Sequence, residues 1–234
     1  MTRIFVWDGA MRLFHWLLVA GFLVAYFTPE RAMMIHTISG YLVLSLLAVR
    51  IVYGFAGSAH ARFSDFLPRP RDVWAHTRGL VKGTPQHSAG HNPTSALGAW
   101  ALLVLILATV LTGALPIKAI RPLHSVFADL TIAMAVLHVI GVIVEDALTG
   151  EGLVASMVHG FKTFPEGVAN KMRASGSTRR GLVAGALALA VAAIAVGVGT
   201  GTLSWPPGKE KHQEEHKESA LPAGYLEELP VGQV

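Results

Sequence analysis

Four of the eleven histidines, His15, His36, His124 and His138, fall inside or at the edge of long apolar stretches. An imidazole in such surroundings normally faces a protein interior and performs a task there. Two of the four share one stretch. His138 follows His124 by 14 residues, which is about 1400° of helix, about 40° short of four full turns, and about 21 Å along the axis. The two rings therefore lie on one face at different heights. Arg50 follows His36 by the same 14 residues and shares that helix face.

The elements that carry these residues are apolar enough to be membrane spans. Hydrophobic residues make up 52% of the 234 and charged residues 15%, where a soluble domain has about 25% charged. The mean hydropathy is +0.49. This composition excludes a disordered chain and argues against a simple soluble enzyme. Five stretches stand out, 13–27, 35–55, 96–115, 123–144 and 182–203. Each is long enough to cross a hydrocarbon core of about 30 Å, and helix is the form that satisfies the backbone there. Arg3 and Arg12 before the first stretch resemble a signal peptide, but no small-x-small cleavage site follows, so the expectation is a retained first helix. The absence of cysteine excludes disulfides, iron–sulfur clusters and covalent c-type haem attachment. A redox group would be held by His or Met. The net charge of +4 fits basic loops on one side of a membrane better than nucleic-acid binding.

Lysine and arginine set the direction of the spans. Twelve fall in the N-terminus and in the second-to-third and fourth-to-fifth connections, and six on the other side. The N-terminus is then inside and the C-terminus outside. His15 and His138 come to the inner level, and His36 and His124 to the outer. Each level offers two imidazoles from different helices, which is what a six-coordinate haem iron requires. Two haems at two heights make an electron wire across the bilayer. Arg50 and Arg12 are placed to bind propionates at the inner level, and Arg31 and Arg121 at the outer. Other uses of four membrane histidines stand beside this one. They are helix–helix hydrogen bonding, a proton relay, or metal transport, although a metal site would gather its ligands at one depth.

The motifs are specific in combination. IFVWDGAMRLFHW is similar to a V-W-[DE]-x3-R-x2-H-W opening, and HTISGYLVLSLLAVRIVYGF to an H-x3-G-Y-x8-R-x2-[WY]-G-F second span. With ARFSDFLPRPRDVW, GHNPTSALGAW and PLHSVFADLTIAMAVLHVIGVIVE, they resemble the bacterial cytochrome b561 and nickel–iron hydrogenase cytochrome b family over about residues 3–165. The resemblance implies that the four histidines ligate two b haems, paired His15 with His138 and His36 with His124. It also implies electron exchange with the quinone pool and with a partner, such as a periplasmic c-type cytochrome or a hydrogenase. Two departures matter. Ser125 stands where many relatives carry an acid. Asp129 lies about 140–180° off the histidine face, where a structural hydrogen bond is expected ahead of a proton-handling role.

The expected architecture is all-α: a four-helix membrane bundle holding two b haems over residues 1–178, a fifth transmembrane helix over 179–204 and a polar periplasmic tail over 205–234. The fifth span has two G-x3-G spacings, Gly181/Gly185 and Gly197/Gly201, suited to close helix contact with the bundle, a second copy or another subunit. In the tail, His212 and His216 would share a helix face, but a solvated docking arm is the plainer reading. His91 is expected to fix a turn with Asn92 and Pro93. His60, His76, His87 and His159 are expected in solvent, Met33 and Met34 at the interface, and Trp7, Trp16 and Tyr26 in aromatic belts. A ferric reductase would want two histidine pairs 14 apart, whereas the second span pairs His36 with Arg50. The function expected is a multi-pass dihaem cytochrome of the bacterial inner membrane, its partners being lipid, quinone or quinol, a periplasmic c-type cytochrome or a dehydrogenase subunit, and a further copy of itself. The alternatives are a hydrogenase-like anchor subunit and a proton-coupled or metal transporter.

Overall fold

The structure is a computed structural model, and it describes residues 1–28, 32–58, 60–84, 86–115, 117–169 and 197. The expected fifth span, its glycine spacings as a set, and the tail with His212 and His216 lie outside these residues. So does Arg31.

The described chain is mostly helical. Four helices are long and apolar enough to cross a membrane: α1 Gly9–Phe27, α2 Met33–Ala56, α4 Pro93–Ala114, and the segment Lys118–Thr149 that contains α5 Arg121–Thr149. Between α2 and α4 lie a 3-10 turn, Phe63–Phe66, and the short helix α3 Pro70–Val81. After α5 come α6 Leu153–His159 and the single turn α7 Glu166–Ala169.

Local sequence explains the starts of these helices. Asp8 caps α1 by accepting from the Met11 amide at 2.8 Å. Asn92 caps α4 the same way, from the Ser95 amide at 2.7 Å, with Pro93 in the first helical position. Both caps satisfy an amide that would otherwise lack a partner at the helix end.

The spans meet through large aliphatic side chains. Leu18 and Phe22 of α1, Val43, Leu46 and Leu47 of α2, and Ile106 and Val110 of α4 form one buried cluster. α2 touches both α1 and α4, and α4 lies along α5. The outer surface of α5 is apolar and exposed, with Leu130, Leu137, Ile140 and Val144 among the uncovered residues. In water that surface would be strongly unfavourable, and lipid is its natural solvent.

One element departs from the all-α expectation. Thr2–Phe5 forms a strand, β1, that pairs antiparallel with β2, Phe161–Phe164, in the register Ile4 opposite Lys162. The chain before α1 is therefore extended. The inward side chains of the ribbon, Ile4, Lys162 and Phe164, are buried. Gly160 makes the joint possible. It sits at φ +91, its carbonyl accepts from the Val6 and Trp7 amides, and an added Cβ would stand 2.7 Å from the Trp7 carbonyl oxygen. Trp7 is buried here, its Nε1 donating to Ser156 Oγ at 3.2 Å, and does not belong to an interfacial belt.

This ribbon covers the bundle end formed by the start of α1, the end of α2, the start of α4 and the end of α5. It is called the ribbon end below, and the opposite end the far end.

Candidate functional site

α5 carries a stripe with a period of seven: His124, Thr131, His138 and Glu145. Seven residues are about 700° of helix, which nearly returns to the same face. Thr131 and Glu145 are the buried residues of this helix, so the stripe is the face turned to the other spans.

At the far end, the His36 ring of α2 and the His124 ring of α5 stand 5.9 Å apart, centre to centre, with planes 83° apart. Each ring is oriented through its Nδ1. His36 Nδ1–H donates to the Ala25 carbonyl of α1 at 2.9 Å, and His124 Nδ1–H donates to the Thr109 carbonyl of α4, also at 2.9 Å. In the neutral ring, donation from Nδ1 places the available lone pair on Nε2. Gly113 makes room for His124, because an added Cβ would lie 2.8 Å from its Cε1.

At the ribbon end, His15 of α1 and His138 of α5 lie within electrostatic reach of one another. Gly98 of α4 lies against His138, where an added Cβ would stand 3.5 Å from Nδ1. His15 Nδ1 is enclosed and has no hydrogen-bond partner among the described residues.

The arginines divide. Arg50 is buried, 4% exposed, and its Nη1 has no partner among the described residues. Its guanidinium lies over the Phe63 ring at 4.6 Å. Arg12 donates from Nη1 to the Val158 carbonyl of α6, and its Nε is enclosed without a partner among the described residues. Arg121 is exposed. Asp129 accepts a hydrogen bond from Tyr26 of α1 at 2.9 Å, so its neighbour is the first span. Met33 and Met34 are exposed.

Several residues expected in solvent are built into the ribbon end. His76 of α3 is fully buried, its Nε2 3.3 Å from Glu145 Oε1. Glu145 also accepts from Asn92 Nδ2 at 2.5 Å. Position 145 could have been flagged by its seven-residue spacing from His138. No sequence signal orients α3 to bring His76 there. His87 Nδ1 lies 2.8 Å from Glu151. Lys162, also buried, donates to the carbonyls of Ser88 and Gly90 and to Glu151. Burial lowers the Lys162 pKa, and the Glu151 carboxylate opposes that shift. His91 stacks on Phe66 at 4.5 Å, and burial followed by neighbouring positive charge lowers its pKa to about 3. His159 alone of these loop histidines is exposed. Among the described residues, no group of three or more His, Cys, Asp or Glu side chains is arranged to hold a metal ion.

The family model for prokaryotic cytochrome b561 matches residues 6–160. Comparison with curated proteins and with solved structures gives no match.

Proposed function

The chain belongs to the prokaryotic cytochrome b561 family, and from that premise we propose that it is a dihaem electron carrier of the inner membrane. In this reading His36 with His124, and His15 with His138, are the axial ligands of two b haems. Electrons pass between the quinone pool on one side and a periplasmic or membrane-associated redox protein on the other. The ribbon end faces the cytoplasm and the far end the periplasm.

The far-end pair is the observation that carries this reading. The His36 and His124 rings, brought from different spans to 5.9 Å centre to centre, would hold one iron through the Nε2 lone pairs that their Nδ1 contacts leave free. The other residues fit haem as well. The Nδ1 donors leave Nε2 lone pairs free, Gly113 and Gly98 thin α4 beside His124 and His138, and Arg50 offers a buried donor without a partner.

Bound haem supplies one-electron exchange between ferric and ferrous iron. The chain's own residues set the conditions for it. The Ala25 and Thr109 carbonyls fix tautomer and ring plane, so the ligands need no rearrangement when charge changes. The buried cluster of Leu18, Phe22, Val43, Leu46 and Leu47 keeps water out between the two levels. The Thr109 and Thr131 hydroxyls, 3.2 Å apart, pair with each other inside this apolar zone. The positive charge of Arg50 at the ribbon end favours the added electron there.

The test is a reduced-minus-oxidised spectrum of the purified chain in lipid after addition of a quinol. A b-type difference band supports the reading. A colourless protein, or one that quinol leaves oxidised while dithionite reduces it, contradicts the haem or the quinone part respectively.

A further inference from the structure

Three side chains, each with an enclosed nitrogen that has no hydrogen-bond partner among the described residues, gather around one pair of aromatic rings. The nitrogens are Arg50 Nη1, His91 Nδ1 and Trp100 Nε1. They come from α2, from the turn before α4, and from α4 itself. All three side chains surround the same two rings of the Phe63–Phe66 turn. The Arg50 guanidinium lies 4.6 Å from the Phe63 centre and 5.6 Å from that of Phe66. His91 stacks on Phe66 at 4.5 Å, with planes 26° apart. Trp100 lies 4.9 Å from Phe63 and 6.0 Å from Phe66.

Burying a donor without an acceptor is unfavourable, and most of all for a guanidinium. One such donor has many explanations. Three from separate elements around one aromatic floor point to a common acceptor.

The charges facing the cluster indicate its sign. Of the groups whose charge reaches His91, Arg50 of α2 and Lys162 of β2 are cations, and Lys162 is paired with Glu151, which leaves the Arg50 guanidinium as the charge at the cluster. Asp8, the acid whose charge reaches Arg50, is committed elsewhere. Its carboxylate accepts from the Met11 amide, the Tyr53 hydroxyl and the Ser58 hydroxyl. A neutral quinone carbonyl would accept one hydrogen bond and offer no charge to the guanidinium. A carboxylate supplies both acceptor and charge.

We propose that Arg50, His91 and Trp100 form a carboxylate-binding site, and that its ligand is the propionate end of the ribbon-end haem. The inference rests on the dihaem reading. It assigns the propionates to this side of the level.

The experiment uses the full chain carrying His36→Ala, so that the ribbon-end haem alone remains. Haem-free protein is titrated with haem b and with haem b dimethyl ester, whose propionates carry no charge. The account expects haem b to bind about tenfold or more tightly over the ester, the range of a charge-assisted hydrogen bond. Arg50→Leu, His91→Phe and Trp100→Phe should each reduce that ratio, Arg50→Leu to near unity. His91→Gln, which keeps a donor, should restore part of it. Helicity by circular dichroism identifies folded variants, and the two aromatic substitutions keep a ring at each position should Arg50→Leu fail to fold. An unchanged ratio in folded His91→Phe and Trp100→Phe overturns the assignment. So does a variant that alters the KM for quinol while the ratio stays fixed. A parent that binds no haem at all overturns the dihaem reading itself.

Discussion

The His124 Nδ1–H donates to the main-chain carbonyl of Thr109 at 2.9 Å, across the contact between α4 and α5. One turn further along α4, Gly113 lies beneath the same ring. The imidazole is thus held by a main-chain acceptor and accommodated by a missing side chain, both from the neighbouring span.

Gly113→Ala should disturb this arrangement with little effect elsewhere. The new Cβ would approach His124 Cε1 to 2.8 Å, and the ring cannot swing without losing Thr109. The expected outcome is loss or weakening of the far-end haem, with the ribbon-end haem retained. Haem content and the two midpoint potentials of the purified variant check this. Two unchanged potentials would show that the ring adjusts freely.

Glu145→Leu should destabilise the whole ribbon end. It removes the acceptor of Asn92, which also caps α4, and the acid facing buried His76. Leaving a buried polar group unsatisfied costs about 1–3 kcal/mol. Thermal unfolding in detergent should occur several degrees lower, and Glu145→Gln should recover part of the loss.

Lys162→Met should have a comparable or larger effect. Lys162 ties the carbonyls of Ser88 and Gly90 to β2 while neutralising Glu151. Removing one partner of a buried ion pair costs about 3–5 kcal/mol. Because His87 also faces Glu151, the double variant Lys162→Met with Glu151→Gln should be more stable than Lys162→Met alone. A double variant less stable than the single would contradict the pairing.

Acid should weaken the haem-free protein through His91. Its folded pKa of about 3 lies below the ordinary 6.5, so between these values the unfolded chain binds the proton more readily. The stability that His91 contributes is present above pH 6.5 and is lost as pH falls toward 3. His91→Phe should flatten the dependence of the melting temperature over that interval. An identical slope in the variant would show that other groups dominate.

Asp129→Asn should leave quinol-driven haem reduction unchanged, because an amide oxygen still accepts from Tyr26. A large loss of rate with intact haem spectra would instead assign Asp129 to proton transfer.

The sequence disclosed whatever depends on helical period and hydropathy. The four spans correspond to the apolar stretches, and the 14-residue spacing brought His124 and His138 to one face because α5 is unbroken between them. Residues placed by chain crossings were not legible. Strand pairing of residues 2–5 with 161–164 spans nearly the whole bundle, and only the folded chain sets that register. The partner of Arg12 is a main-chain carbonyl, which no side-chain motif can announce. His76 read as a loop histidine because the orientation of α3 is decided by what it buries against α4 and α5.

The central claim is that imidazoles from different spans clasp haem at two heights. A pyridine haemochrome assay on the purified chain, giving haem per polypeptide, tests it most directly. The account predicts two per chain, falling to one in His36→Ala and to one in His138→Ala. A wild-type value of zero, or a folded His36→Ala variant that still binds two, would contradict it.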